Sequence, residues 1–70
     1  MTLQEQIEAD GGNINYYNET DVKIESVVLV TDYNMFHTIL DTVQQYVIDN
    51  SFSIDNISYG TLVFKFTIIK

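Results

Sequence analysis

The longest hydrophobic pattern in the chain has the spacing of an amphipathic helix. Between residues 33 and 49 apolar side chains recur three, four and seven positions apart, at Phe36, Ile39, Leu40, Val43 and Val47. This spacing places them on one side of a helix, and the preceding polar residues 31–34 offer oxygens that can cap its start. We predict a helix over about residues 33–49 that ends at residues 49–51, where the asparagine adopts a left-handed cap.

A second, shorter helix is predicted near the beginning of the chain. Thr2-Leu3-Gln4-Glu5 matches a capping box, in which Thr2 and Glu5 satisfy each other's free backbone N–H groups. Leu3 and Ile7 then lie four positions apart on the one apolar side, and Gly11-Gly12 can stop the helix. A helix of residues 3–9 is too short to be stable alone, so we expect it to dock on the rest of the fold.

The segments between and after the helices alternate polar and apolar residues, as strands do. Residues 13–16 predict a short strand, and the turn-rich residues 18–21 predict a hairpin loop. Residues 22–30 predict a longer strand, with one face apolar except for Ser26. Its other face carries Lys23, Glu25, Val27 and Leu29.

The last twenty residues predict a second hairpin, with strands at about 52–58 and 61–69 joined at Tyr59-Gly60. Uninterrupted pairing from that turn would set Asp55 opposite Phe64. One extra residue at Asp55-Asn56 would instead set Ile54 opposite Phe64, so we predict a β-bulge there.

Together these elements predict one α+β domain spanning residues 1–70, in the order α-β-β-α-β-β. The sheet is expected to be mainly antiparallel, with the long helix packed on one face. The other face would carry a partly apolar surface that either the short helix or another molecule must cover: Val27, Leu29, Val63, Thr67 and Ile69.

Composition argues against several classes of function. The net charge of −7 disfavours direct contact with nucleic acid or anionic membranes. The chain has no cysteine and only one histidine, His37, and it shows no clustered metal ligands and no glycine-rich phosphate loop. His37 and Asp41 lie one helical turn apart and could form an orienting pair, but a solvent-side contact is the simpler interpretation. We therefore expect no enzyme activity, no cofactor and no metal. The absence of cysteine and of a readable export signal makes the cytoplasm the expected compartment.

The acidic charge is concentrated in residues 1–25, where six carboxylates against one lysine give a net charge of −5. Glu19, Asp21 and Glu25 lie close in sequence to Tyr16 and Tyr17. Tyrosines are enriched at binding hot spots, and adjacent tyrosines in a strand face opposite ways, so one should be exposed. We predict that these five residues contact a protein partner with a basic surface.

In size, acidity and lack of cysteine, the chain is similar in kind to phage-encoded inhibitors such as anti-CRISPR proteins and glycosylase inhibitors. The resemblance is carried by composition and by no motif. It implies a non-enzymatic inhibitor of a nucleic-acid-handling protein that mimics a few phosphates at most.

The alternative hypothesis is a self-assembling structural or accessory protein. It would form homo-oligomers through the outer sheet face or through the edge of the C-terminal strand. The motivation is the long, β-branched segment from Leu62 to Ile69.

Overall fold

The computed structural model describes residues 2–70 and contains the six elements in the predicted order. Their bounds are α1 Leu3–Ala9, β1 Asn13–Glu19, β2 Lys23–Leu29, α2 Tyr33–Asn50, β3 Ser53–Gly60 and β4 Val63–Ile69. The four strands form one antiparallel sheet in the order β1-β2-β4-β3. The α+β fold class is therefore confirmed.

Both helices lie on the same face of the sheet, because their apolar sides contribute to one core with the inward side chains of β2 and β4. Twelve apolar side chains form this core, each at most 8% exposed: Leu3, Ile7, Ile24, Val28, Val30, Phe36, Ile39, Val43, Val47, Phe64, Phe66 and Ile68. Leu40 is only partly buried at its margin. The opposite face of the sheet, which we call the outer face, therefore has neither helix on it.

α1 begins at the predicted capping box and is held against α2. The Thr2 hydroxyl accepts from the Glu5 N–H at 3.2 Å, and the Glu5 carboxylate accepts from the Thr2 N–H at 3.0 Å. Gly11 stops the helix with a φ of +96°, which glycine adopts without strain. The Thr42 hydroxyl of α2 donates a hydrogen bond to the carboxylate of Asp10, which follows α1.

Gly12 permits the close approach of α1, α2 and β2. A Cβ atom at this position would lie 2.8 Å from Ile39 Cδ1, and 2.9 Å from side-chain atoms of both Ile7 and Val28. These distances are shorter than real Cβ contacts, so only glycine fits without displacing the core. The glycine pair thus has two roles, since Gly11 supplies the turn and Gly12 supplies the space.

α2 begins as predicted but ends one residue later. The Asp32 carboxylate accepts from the Met35 N–H at 2.8 Å and caps the helix start. The prediction of an asparagine in the left-handed cap is wrong, because Ser51 has that conformation, with a φ of 57°. Asn50 remains helical, and its side-chain amide donates to the Tyr46 carbonyl at 2.9 Å.

The second hairpin turns two residues later than predicted. Gly60 pairs with Val63, so the turn is Thr61-Leu62 and not Tyr59-Gly60. In the observed register Tyr59 lies opposite Phe64, whereas Ile54 was predicted in that position. The bulge at Asp55 is confirmed, since the register shifts between Ile54 and Asn56.

The shifted register is explained by aromatic packing. Tyr59 stacks on Phe36 of α2 with ring centroids 4.0 Å apart, and Phe36 meets the buried Phe64 at 5.1 Å. Thr61 and Leu62 adopt positive φ values of 53° and 64° to permit this arrangement. Burial of aromatic rings thus outweighs the local preference for glycine in the turn.

Sheet order also corrects one part of the self-assembly hypothesis. β4 is bonded to β2 on one side and to β3 on the other, so the C-terminal strand has no free edge. The edge strands are β1 and β3. β2 and β3 run parallel to each other with β4 between them, since each is antiparallel to β4.

Candidate binding site

The five residues predicted to bind a partner lie on β1, on β2 and in the turn between them. Tyr16 lies opposite Val27 and points to the outer face, where it is 49% exposed. A register shift between Ile14 and Tyr16 produces this orientation. The Ser26 hydroxyl, buried beneath the strand, donates to the Tyr16 carbonyl at 2.8 Å. Tyr16 is therefore the exposed member of the tyrosine pair.

Tyr17 points to the helix side of the sheet and is partly buried there. Its hydroxyl donates to Glu19 at 3.2 Å, and the other Glu19 oxygen accepts from Lys70 Nζ at 2.7 Å. Burial, together with the Glu19 carboxylate, raises the pKa of the Tyr17 hydroxyl. The Lys70 hydrogen bond lowers the pKa of Glu19, and the Tyr17 hydroxyl adds to the effect. Tyr17 and Glu19 thus bind partners within the fold.

The remaining two carboxylates lie apart from that pair. Asp21 is exposed in the turn between β1 and β2, and Glu25 lies on the outer face with Lys23 Nζ at 3.2 Å. Tyr16 and Glu25 consequently share the outer face, whereas Tyr17 and Glu19 lie on the other side of the sheet. The structure does not bring all five residues onto one surface.

The charge is divided between the two layers of the molecule. We define the helical layer as residues 2–12 and 31–51, which contain both helices and their caps. This layer carries six of the ten carboxylates and none of the three lysines: Glu5, Glu8, Asp10, Asp32, Asp41 and Asp49. The rest of the chain holds four carboxylates and all three lysines. Nearly all of the net charge therefore belongs to the helical layer. Counting charges along the chain had instead indicated residues 1–25 as the acidic region.

An aromatic group at the start of α2 belongs to the same layer. Tyr33 is 59% exposed and His37 is also exposed, and His37 Nε2 lies 3.0 Å from the Tyr33 hydroxyl. His37 therefore contacts the residue one turn before it, and no ion pair with Asp41 is found among residues 2–70. The four-residue spacing of Tyr33 and His37 was the available sequence signal for this pair.

The outer face combines apolar side chains with a central lysine. Leu29 and Ile69 are 37% and 39% exposed, and Val27 and Val63 are partly buried. Lys65 lies opposite Val27 between two hollows of about 160 and 350 Å³. Only residues of the β3–β4 hairpin line the larger hollow, so it is an open depression.

Two further properties concern the part of the chain that the structure describes. Within residues 2–70, no three His, Asp or Glu side chains are grouped so that they could hold a metal ion. Neither α1 nor α2 has the length and apolar character needed to cross a membrane.

No protein-family model matches the sequence, and no curated protein is significantly similar to it.

Proposed function

We propose that this protein is a cytoplasmic, non-enzymatic binding module that engages a protein partner with a basic surface, and that the helical layer faces this partner. The observation that carries the proposal is the charge segregation, with six carboxylates and no lysine in the helical layer. Such a surface raises the rate of encounter with a basic protein and repels nucleic acid. Inhibition of a nucleic-acid-handling protein is the specific form of this function that the composition favours.

The exposed carboxylates of the helical layer suit this role because most of them have no structural partner of opposite charge. Both ion pairs found among residues 2–70 involve carboxylates of the β1–β2 hairpin, Glu19 with Lys70 and Glu25 with Lys23. Neutralisation within the fold therefore reduces the field of the predicted hairpin site. The field of the helical layer is not reduced in this way.

Two matched triple variants test which surface attracts the partner. The helical variant replaces Glu8, Asp41 and Asp49 by their amides, and the hairpin variant does the same to Glu19, Asp21 and Glu25. Each variant removes three negative charges. A difference between their association rates therefore depends on where the charges lie and not on the net charge.

The assay captures a partner on the immobilised wild-type protein, and association rates are then measured with the purified partner. We expect the helical variant to slow association by about tenfold at 0.1 M salt, the lower end of electrostatic steering. The hairpin variant should have a smaller effect, and both differences should shrink at 1 M salt, where the screening length is only about 3 Å. Equal effects of the two variants, or association that does not depend on salt, would contradict the proposal.

A second candidate function is self-association through the outer face, favoured by the exposure of Leu29 beside Val27 and Val63 at one end of that face and of Ile69 at its other end. Mass in solution should then rise with protein concentration. Val27→Glu should abolish the rise, because it places a charge at the centre of the outer face. The fold should tolerate this charge, since Lys65 lies directly opposite on β4. Ile48→Glu is the matched control, since Ile48 is 70% exposed on α2. A monomer at all concentrations would exclude this function.

A further inference from the structure

A series of aromatic rings connects the core to the surface of the helical layer. Phe64 is fully buried, Phe36 packs edge-to-face on it at 5.1 Å, and Tyr59 stacks on Phe36 at 4.0 Å with an interplanar angle of 18°. Tyr33 completes the series, with its ring centroid 5.7 Å from Phe36 and 6.2 Å from Tyr59. The ring of Tyr33 thus packs at the outer end of a continuous series of rings that reaches the core.

Tyr33 also contacts His37, which lies one turn later in α2. The His37 ring meets it edge-on at 4.7 Å, and His37 Nε2 lies 3.0 Å from the Tyr33 hydroxyl. Even so, 59% of Tyr33 remains exposed, more than any other tyrosine or phenylalanine among residues 2–70. An exposed ring in a fixed orientation loses little conformational entropy when a partner binds, as in binding hot spots.

The chemistry of this position favours a cation. The faces of aromatic rings attract positive charge, and arginine is the cation most often found on them. Asp32 precedes Tyr33, and Asp41 follows His37 by one turn on the same side of α2. The helical layer has no lysine that would compete for the site.

We propose that Tyr33, His37 and Tyr59, which we call the aromatic patch, receive an arginine side chain of the basic partner. This inference rests on the proposed function, since it names the contact that the acidic layer would guide into place. The guanidinium would stack on Tyr33 while the surrounding carboxylates supply the longer-range attraction.

The test uses nona-arginine and nona-lysine peptides as probes, with affinities measured by isothermal titration at about 0.1 M salt. Tyr33→Ala should weaken nona-arginine binding about two- to fivefold, the range of an exposed cation–π contact. Tyr16→Ala is the matched control, because Tyr16 is 49% exposed on the opposite face, and it should leave the affinity unchanged. Nona-lysine should bind more weakly and lose less with Tyr33→Ala.

A second variant guards against loss of the fold. Tyr33→Leu removes the ring but keeps an apolar side chain and a good helix former at this position. It should weaken the binding of nona-arginine as much as Tyr33→Ala does. The inference is overturned if both Tyr33 variants bind nona-arginine as the wild type does, or if Tyr16→Ala causes an equal loss.

Failure of the inference is distinguishable from failure of the proposed function. If the helical triple variant loses nona-arginine binding while the Tyr33 variants retain it, the acidic layer attracts cations and the aromatic patch is not the contact. If the Tyr33 variants weaken binding while the helical triple variant does not, the patch is supported and attraction of arginine by the acidic layer is refuted.

Discussion

The turn between β3 and β4 offers a test of the hairpin register. The observed turn and the turn predicted from the sequence imply opposite effects of the same substitutions on the free energy of unfolding. Thr61 has a φ of 53° although it is β-branched, and a left-handed conformation costs such a residue roughly 1–2 kcal/mol. Asparagine tolerates this conformation much better, and it is preferred in two-residue hairpin turns. Thr61 is exposed, so its replacement removes little buried surface. We expect Thr61→Asn to increase the free energy of unfolding by about 1 kcal/mol.

Gly60→Ala is the companion variant. Gly60 lies in β3 with no other atom within 4 Å of the position a Cβ would occupy, and its φ is not positive. Alanine should therefore stabilise the strand by roughly 0.5–1 kcal/mol relative to glycine. The Leu62 side chain is half-buried, so substitution there would mix strain relief with lost packing.

Thermal and urea unfolding measure both effects. A change of 1 kcal/mol shifts the melting temperature of a domain of this size by about 4–8 °C, so both variants should melt measurably higher than the wild type. If the turn were instead Tyr59-Gly60, Gly60→Ala would be destabilising, and Thr61→Asn would place a weak strand former in a strand. Lower melting temperatures for both variants would therefore refute the observed register.

Three further predictions concern the core and the acid limb of stability. Gly12→Ala should destabilise by roughly 1–3 kcal/mol in urea unfolding, because its Cβ would lie within 2.8–2.9 Å of three core side chains. Phe64→Ala should lower the free energy of unfolding by roughly 3–5 kcal/mol. Leu40→Ala should lower it by only about 1–2 kcal/mol, since Leu40 is partly exposed. Equal losses for the two variants would contradict this difference in burial. The folded state lowers the pKa of Glu19, so its contribution to stability is fully present above the unfolded value of about 4.3 and is lost as the pH falls through the lower, folded-state pKa. Glu19→Gln should therefore destabilise by under about 1 kcal/mol at pH 7, since the side chain is 40% exposed, and this loss should shrink as the pH falls below the unfolded value.

Local patterns predicted the elements well where a single periodicity extended over many residues. The spacing of Phe36, Ile39, Val43 and Val47 placed α2 correctly, and all four are buried. The capping box placed the start of α1 correctly, because its hydrogen bonds join residues only three apart. β1 was predicted shorter than its observed range, because Asn18 and Glu19 belong to a turn-rich run that predicted a hairpin loop, whereas both pair with β2.

The candidate site was predicted less well, because a surface combines residues that are distant in sequence. Among the five predicted residues, Tyr17 and Glu19 are engaged with each other and with Lys70, which is fifty-one positions away from Glu19. No local pattern reports such a contact. The aromatic patch joins Tyr33 and His37 to Tyr59, and it exists only because β3 passes beside α2.

The sequence by itself determined the number, order and type of the elements, the acidic balance and the alternating faces of β2. These follow from short-range sterics, capping and periodicity, which act within a few residues. Only the tertiary structure decided the hairpin register, the placement of both helices on one face and the concentration of carboxylates in the helical layer. Each of these depends on which distant side chains pack together. Stacking of Tyr59 on Phe36 favours the observed register, although this register leaves Thr61 and Leu62 in left-handed conformations, because it packs an aromatic ring against the core.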